Sequence, residues 1–285
     1  MTGPNADAIE AWDTVLYDKF NRFRWLVTAG LGVHGEAALA RLGPIKGKKV
    51  VDLGCGFGDT TQVLARTVGP SGHACGIDAA ARFIESANGE AKENDVGNAS
   101  FLVRDVETED LGGPYDAAYS RFGVMFFASP VAAFRNLKRA LAPGAPLSMA
   151  VWRKREDNGW LYEAQQVVEK LVPPPETHDA PTCGPGPFSM SGPDLVSDQL
   201  QKAGFQNVTF ERFDAPMCIG RSMDEAIDFS CALGPAGETL RLVGDRANEV
   251  RPQIVAALRD AFTPLQRPGG IWASSSTWLI RAVSA

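Results

Sequence analysis

Short apolar runs alternate with amphipathic stretches five times in the first half of the chain, and this alternation limits the possible folds more than any other feature. The first run, KVVDLGC, is β-branched and bounded by glycine, and the four that follow it are GHACGID, ASFLVRD, YDAAYSRFG and APLSMAVW. The stretches between them, such as DTTQVLARTVG and SPVAAFRNLKRALAPG, have helical spacing. Strands that alternate with helices predict an α/β fold, in which helices cover both faces of a mostly parallel sheet.

The regular alternation ends near residue 153. A helical stretch follows, then the Pro/Gly-rich segment PPPETHDAPTCGPGPFSMSGP, which we expect to act as a lid loop because long loops in compact domains are usually functional or mobile. We predict an N-terminal helical lid segment, a core, an insertion with the lid loop, a continuation of the core, a helical cap insertion and a final core strand, over residues 1–45, 46–153, 154–193, 194–214, 215–272 and 273–285.

Gly54, Gly56 and Gly58 follow the first predicted strand at every second position. Glycines at a strand-to-helix turn let the backbone approach a ligand closely, and open α/β sheets bind ligands outside the carboxyl ends of their strands. Asp78 and Asp105 mark that same edge after the second and third strands. A carboxylate at Asp78 can accept from both ribose hydroxyls, and an acid near Asp105 suits an adenine amino group, so the pattern predicts an adenosine compound. The alternative is a tight turn with two helix N-caps.

The spacing of the glycines separates two adenosine cofactors. Dinucleotide sites use G-x-G-x-x-G, with a helix N-terminus aimed at the pyrophosphate. Here the spacing is G-x-G-x-G, and Asp59 stands where the third dinucleotide glycine would be. A carboxylate there would repel a pyrophosphate but attract a sulfonium cation, so S-adenosylmethionine is favoured over NAD. An NAD-dependent oxidoreductase is a less favoured alternative, and a regulatory module that binds S-adenosylmethionine without turnover is another.

The chain resembles the class I S-adenosylmethionine-dependent methyltransferases. VVDLGCGFGD is similar to the first motif of that family, GID to the second, VRD to the third and YDAAYSRFGVMFF to the fourth, all within residues 46–153. The resemblance implies a Rossmann-like sheet of seven strands whose last strand is antiparallel within a terminal hairpin, with a helical cap. It also implies that S-adenosyl-L-methionine contacts Asp52, Gly54, Gly56, Thr60, Asp78, Ala79, Phe83, Asp105, Val106 and Ser120.

The resemblance assigns a part of the cofactor to most of these residues. Gly54, Gly56 and Ser120 would contact the methionine moiety, and Asp78 would hold the ribose. Ala79 and Phe83 would pack on the adenine or the ribose. Asp105 and Val106 would contact the adenine.

A narrower resemblance covers the N-terminus. LYDKFNRFRWLVTAGLGVH is similar to a segment of quinone-biosynthesis methyltransferases in which a tyrosine covers the cofactor, which implies that Tyr17 is a cofactor contact. The alternative is an ordinary half-buried aromatic. Those enzymes carry an Arg-Asn pair soon after the fourth strand, whereas this chain has Met125 and Phe126 there. The departure puts quinol-activating chemistry in doubt and leaves the likeness to small-molecule methyltransferases.

Methyl transfer is an in-line displacement, so proximity and alignment lower much of its barrier. A base is needed only where the nucleophile must lose a proton early. His34, after the N-terminal helix, and His178, in the lid loop, are candidate bases, with surface or core packing as the alternative for each. Arg121 either orients an acidic or carbonyl substrate or forms a surface salt bridge.

The predicted acceptor is a small, partly apolar metabolite, methylated on an O, N or C nucleophile. Ligand pockets are mostly apolar and aromatic. Residues of that kind surround the strand ends and insertions, although some of them are expected to be core: Phe122, Met125, Phe126, Phe127, Trp152, Trp160, Phe188 and Met190. SRFG replaces the N-P-P-Y-like tetrad of nucleic-acid amine methyltransferases, and a net charge of −6 does not favour nucleic-acid binding.

The remaining features predict a cytoplasmic protein with no membrane partner. The start of the chain lacks a basic segment followed by an apolar one, and no apolar run is long enough to span a bilayer. Five scattered cysteines without a C-x-x-C predict reduced thiols and no metal site. Whether the protein forms a homodimer is left open.

Overall fold

The computed structural model describes residues 5–175 and 185–285. In this part of the chain the strands are β1 Lys49–Leu53, β2 His73–Asp78, β3 Ala99–Val103, β4 Ala117–Arg121, β5 Pro146–Trp152, β6 Phe205–Gly220, β7 Gln266–Arg267 and β8 Gly270–Ser284. The helices are α1 Ala6–Ala11, α2 Tyr17–Arg22, α3 Arg24–Arg41, α4 Asp59–Val68, α5 Ala81–Glu93, α6 Pro130–Ala140, α7 Gly159–Leu171, α8 Pro193–Ala203, α9 Met223–Ala232, α10 Gly234–Val243 and α11 Arg246–Phe262.

One sheet runs through the molecule in the order β3-β2-β1-β4-β5-β8-β6, and the two-residue β7 pairs with β8 beside it. Strands β1 to β5 are parallel to one another, whereas β8 is antiparallel to both β5 and β6. The α/β prediction, with a mostly parallel sheet and an antiparallel last strand, is confirmed. The eighth strand, β7, was not predicted because a two-residue strand has no periodicity to detect.

The first strand shows why the chain folds this way. Val50, Val51 and Leu53 are fully buried, and Asp52 between them is 1% exposed. A strand covered by helices on both faces cannot expose alternate residues, so it reads as a continuous apolar run. On one face α3 packs across β4 and β5, where Tyr119 Oη donates to the Gly35 carbonyl (2.8 Å) and Ser148 Oγ donates to the Ala38 carbonyl (2.7 Å).

The β6–β8 ribbon extends past the carboxyl edge of the parallel strands. Strand β5 ends at Trp152, opposite Thr277, but β6 and β8 stay paired as far as Gly220 and Ile271. In the sequence, helices α9 to α11 lie between β6 and β8. They pack on α7. The described helical insertion therefore begins after Gly220, later than the expected start at residue 215. None of the described helices combines the length and apolar character needed to cross a membrane.

Candidate active site

The turn after β1 brings two backbones into contact at the carboxyl edge of the sheet. A Cβ placed on Gly54 (φ 64°) would lie 2.6 Å from the Cα of Gly123, which follows β4. Gly56 is also left-handed (φ 53°), but the nearest atom to its added Cβ is Phe83 Cδ1 at 3.9 Å. The glycine at 54 is thus explained by packing within the protein. The one at 56 faces open space beside an aromatic ring, which suits a ligand that approaches the backbone.

Asp78, at the end of β2, holds this turn in place. Its carboxylate accepts a hydrogen bond from Gly56 N (2.9 Å) and another from Ala80 N (3.0 Å). Burial raises the pKa of Asp78, and the backbone donors oppose that shift. The side chain is therefore fixed between the glycine turn and the start of α5, where it can present its remaining lone pairs to a ligand.

A second acidic group lies beside the glycine turn. Asp52 accepts from Thr61 Oγ1 (2.7 Å), and burial raises its pKa to about 7. Asp59, the first residue of α4, is paired with Arg121 at the end of β4 (2.8 Å). The Arg121 side chain is only 13% exposed, so this pair is more protected from solvent than the surface salt bridge considered from the sequence. Arg121 thus has a protein partner, and its positive charge offsets that of Asp59.

The N-terminal segment packs over the same edge. Tyr17 Oη shares a hydrogen bond with Ser86 Oγ (2.6 Å), and the Tyr17 ring meets the Phe83 ring edge-on at 5.0 Å. Asp13 accepts from Arg82 N (2.7 Å), so a residue of the N-terminal segment caps α5. Tyr17 and Phe83, which we predict to contact the cofactor, therefore form one wall of the site.

Asp105 and Val106 lie in a turn after β3. The Asp105 carboxylate accepts from Glu107 N (2.9 Å), Thr108 Oγ1 (2.8 Å) and Asn5 Nδ2 (3.1 Å). The Asn5 amide is the same kind of donor as the exocyclic amine of adenine. The geometry is compatible with the adenine prediction for Asp105, provided that the adenine replaces Asn5.

One predicted residue, Ser120, occupies a position that differs from the expectation, and two others are placed near the glycine turn or Asp78 in sequence. Ser120 is fully buried and its hydroxyl donates to the Leu53 carbonyl (2.8 Å), so its side chain does not line the methionine end of the site. Thr60 is 8% exposed in the first turn of α4. Ala79 is half-buried and lies in sequence between Asp78 and α5.

His34 does not fit the role of a general base. It is 0% exposed, and its ring nitrogens are hydrogen-bonded to Thr277 Oγ1 (3.0 Å) and Ser275 Oγ (2.7 Å). Burial lowers its pKa to about 4. The alternative of core packing describes His34, because β8 residues far away in sequence enclose it. His178, the other candidate base, lies outside the described residues.

The apolar residues named from the sequence divide into two groups. Phe122 stacks on Trp152 (4.1 Å between ring centroids), Trp152 lies 5.2 Å from Trp160, and Trp160 is nearly parallel to Phe229 at 6.1 Å. Phe229 meets Phe23 at 5.3 Å. We call these five residues the aromatic run; it begins next to Gly123, which touches the glycine turn.

The other named residues are placed differently. Phe126 lies 4.8 Å from Trp12, on the side of the N-terminal segment. Phe127 packs on Phe134 of α6, and Met125 and Met190 are each 1% exposed. Phe188 lies under the Arg155 guanidinium. The sequence pattern did not separate these residues from the run because spacing alone does not show which face meets the cap.

Sequence reasoning missed several groups at this edge. Asp13, Ser86 and Asn5 contact predicted site residues, but each is an ordinary polar residue whose partner is at least 69 positions away. The pairing of Asp59 with Arg121 had a usable signal, since the two charges follow the neighbouring strands β1 and β4.

Comparisons with known proteins agree with this geometry. Residues 45–173 match the family described as a methyltransferase domain. The chain is 33% identical over 106 residues to aklanonic acid methyltransferase DauC of Streptomyces sp. (strain C5), a match that covers 37% of this chain and 48% of that protein. Over residues 45–173 the chain is therefore similar to a methyltransferase domain. The predicted resemblance to methyltransferases is confirmed for these residues, and that family implies S-adenosylmethionine as the cofactor.

Two further matches cover a larger share of the chain. It is 26% identical to the 2-phytyl-1,4-naphtoquinone methyltransferase of Trichormus variabilis, over 56% of this chain and 69% of that one. The structure of the YcgJ protein from Bacillus subtilis shares the fold with a TM-score of 0.54 at 16% identity, over 90% of this chain and 97% of that one. The chain spans about half the length of the aklanonic acid enzyme.

The described residues fit the cofactor. Gly56 leaves a space that a Cβ would enter, Asp78 is held with its carboxylate at that space, and the rings of Phe83 and Tyr17 form a wall beside it. The acidic groups Asp52 and Asp59 are compatible with a cationic ligand, although Arg121 offsets one of them.

Proposed function

We propose that this protein transfers the methyl group of S-adenosylmethionine to an O, N or C nucleophile of a small, partly apolar metabolite. The observation that carries the proposal is the contact of Gly54 with Gly123. This contact places the end of the aromatic run, at Phe122, directly beside the glycine turn. The group that binds the methyl donor and the group suited to an apolar acceptor therefore meet at one edge of the sheet.

The chain's own residues contribute position and shielding. The bound cofactor supplies an electrophilic methyl group. Asp78 holds the glycine turn through Gly56 N and would orient the ribose, while Tyr17 and Phe83 would exclude water from the adenosine side. Alignment of nucleophile and methyl group accounts for much of the rate in such a displacement.

The nature of the acceptor is proposed from the aromatic run and from the relatives. Three of its rings, Phe122, Trp152 and Trp160, lie at the carboxyl ends of β4 and β5 and at the start of α7. Two matched proteins are named for aklanonic acid and for a naphtoquinone. We therefore propose an aromatic metabolite as acceptor, because offset and edge-on ring contacts favour flat aromatic ligands.

The test has two steps. Calorimetry with S-adenosylmethionine and with NAD measures the choice of cofactor, and we expect binding of the first only. A panel of phenols, hydroxyquinones and aromatic amines is then assayed for transfer of a radiolabelled methyl group. Tight binding of S-adenosylmethionine without transfer to any aromatic acceptor would contradict the proposal and favour a regulatory binding module.

A further inference from the structure

Two buried polar atoms, one in the aromatic run and one on the residue after Phe229, have no hydrogen-bond partner among the described residues. One is Nε1 of Trp160, a residue that is 9% exposed. The other is Oγ of Ser230, a residue that is 4% exposed. A buried donor or acceptor without a partner costs about 1–3 kcal/mol, and native proteins contain few of them. Such a group in a cluster of rings calls for an explanation.

Trp160 and Ser230 lie on two helices, α7 and α9, that contact each other. Trp160 is on α7 and its ring is nearly parallel to that of Phe229 (17° between planes), which immediately precedes Ser230 on α9. The chain satisfies its indole groups elsewhere: Trp25 Nε1 donates to Glu225 (2.8 Å) and Trp278 Nε1 donates to the Ser191 carbonyl (3.0 Å). Of these three indoles, that of Trp160 is the one without a partner among the described residues.

We propose that Trp160 is a specificity-determining residue, whose indole N–H donates to an oxygen of a planar aromatic acceptor, with Ser230 binding a second polar group of the same molecule. This inference rests on the proposed function. An indole nitrogen is a donor only, so it selects an acceptor atom such as a carbonyl or phenolic oxygen. The stacked rings of Phe122 and Trp152, at the other end of the aromatic run, favour a flat aromatic ligand. The substrate class is therefore an aromatic compound that carries a ring oxygen.

The orphan donor also explains how the site rejects plain hydrocarbons. A ligand that fills the run without an oxygen leaves Trp160 Nε1 and Ser230 Oγ buried and unpaired, whereas an oxygenated ligand satisfies them. Sites that leave polar groups unpaired against the wrong ligand discriminate more strongly than apolar pockets do. One net hydrogen bond corresponds to a preference of about tenfold.

The experiment compares two probes that differ only in their oxygens, 2,3-dimethyl-1,4-naphthoquinone and 2,3-dimethylnaphthalene. Their ring methyl groups block addition of protein thiols to the quinone. Dissociation constants are measured by calorimetry on the full chain saturated with S-adenosylhomocysteine. We expect the wild type to prefer the quinone by about tenfold and Trp160→Phe to bind both probes equally. Trp278→Phe, which removes an indole that already has a protein partner, is the matched control and should keep the preference.

Each other outcome overturns the inference. A preference that survives in Trp160→Phe means that the indole does not contact the ligand and that a buried water satisfies it. No preference in the wild type, or no binding of either probe, excludes the aromatic oxygen class. If Trp160→Phe does not fold, Ser230→Ala is tested in the same way and should reduce the preference. Loss of S-adenosylhomocysteine binding in the wild type would instead contradict the proposed function.

Discussion

At the scale of single residues, Asp78 connects the glycine turn to the ribose position. Its carboxylate accepts from Gly56 N and Ala80 N, so its removal leaves two backbone donors unpaired and takes away the ribose acceptor. We expect Asp78→Ala to weaken S-adenosylmethionine binding by about 1–3 kcal/mol, measured by calorimetry. Asp198→Ala, which removes an exposed carboxylate paired with Lys202, should bind normally. An unchanged dissociation constant in folded Asp78→Ala would show that the ribose is held elsewhere.

The glycines at 54 and 56 should respond differently to substitution. Both have positive φ, so any side chain costs about 1–2 kcal/mol of backbone strain at either position. Gly54→Ala adds a collision with the Gly123 backbone and should lower the melting temperature of the apo protein further than Gly56→Ala does. Gly56→Val should abolish cofactor binding because its side chain enters the open space beside Phe83. If Gly56→Val binds the cofactor normally, Gly56 serves only the conformation of the turn.

At the scale of secondary structure elements, the N-terminal segment and α5 act together. Helix α5 has no capping side chain of its own, and Asp13 supplies one through Arg82 N. Loss of an N-cap costs about 1 kcal/mol. We expect Asp13→Ala to increase amide exchange in residues 5–22 and to speed release of S-adenosylmethionine, as measured by exchange mass spectrometry and stopped flow. Asp7→Ala, in the same segment, is the control. Equal exchange in the two variants would mean that the cap does not hold the segment.

The elements also show what a sequence can and cannot predict. The strand KVVDL could be predicted because burial on both faces leaves a continuous apolar run. The helix from Asp59 could be predicted from its helical spacing. The partners of His34 could not be predicted because Ser275 and Thr277 are more than 240 residues away on β8. Periodicity predicts which residues are buried in an element, but the identity of the neighbour depends on how the β6–β8 ribbon returns beside β5. Contacts of that kind require the assembled sheet.

At the scale of the whole molecule, two buried titratable groups give the stability opposite dependences on pH. Burial raises the pKa of Asp52 from 3.8 to about 7, with Asp59 and Asp78 adding to the shift and Thr61 and Arg121 opposing it. Burial lowers the pKa of His34 from 6.5 to about 4. Between about pH 4 and 7 the folded state keeps a proton on Asp52 that the unfolded chain releases, so this contribution is complete below pH 4 and is lost as the pH rises through 7. The His34 contribution is complete above pH 6.5 and is lost as the pH falls towards 4.

These two contributions largely cancel in the wild type between pH 4 and 6.5, so the variant Asp52→Asn is needed to see either one. We expect its free energy of unfolding, measured by urea titration, to rise from pH 4 to 6.5 by no more than about 1.4 kcal/mol per pH unit, the limit for one proton. His34→Gln should show the opposite slope, falling from pH 4 to 7. Identical pH profiles for Asp52→Asn and the wild type would mean that Asp52 is ionised in the folded protein. In that case the Asp52 carboxylate is already charged when the cationic cofactor binds. The affinity for the cofactor would then not rise between pH 6 and 8, because no proton has to be lost from Asp52.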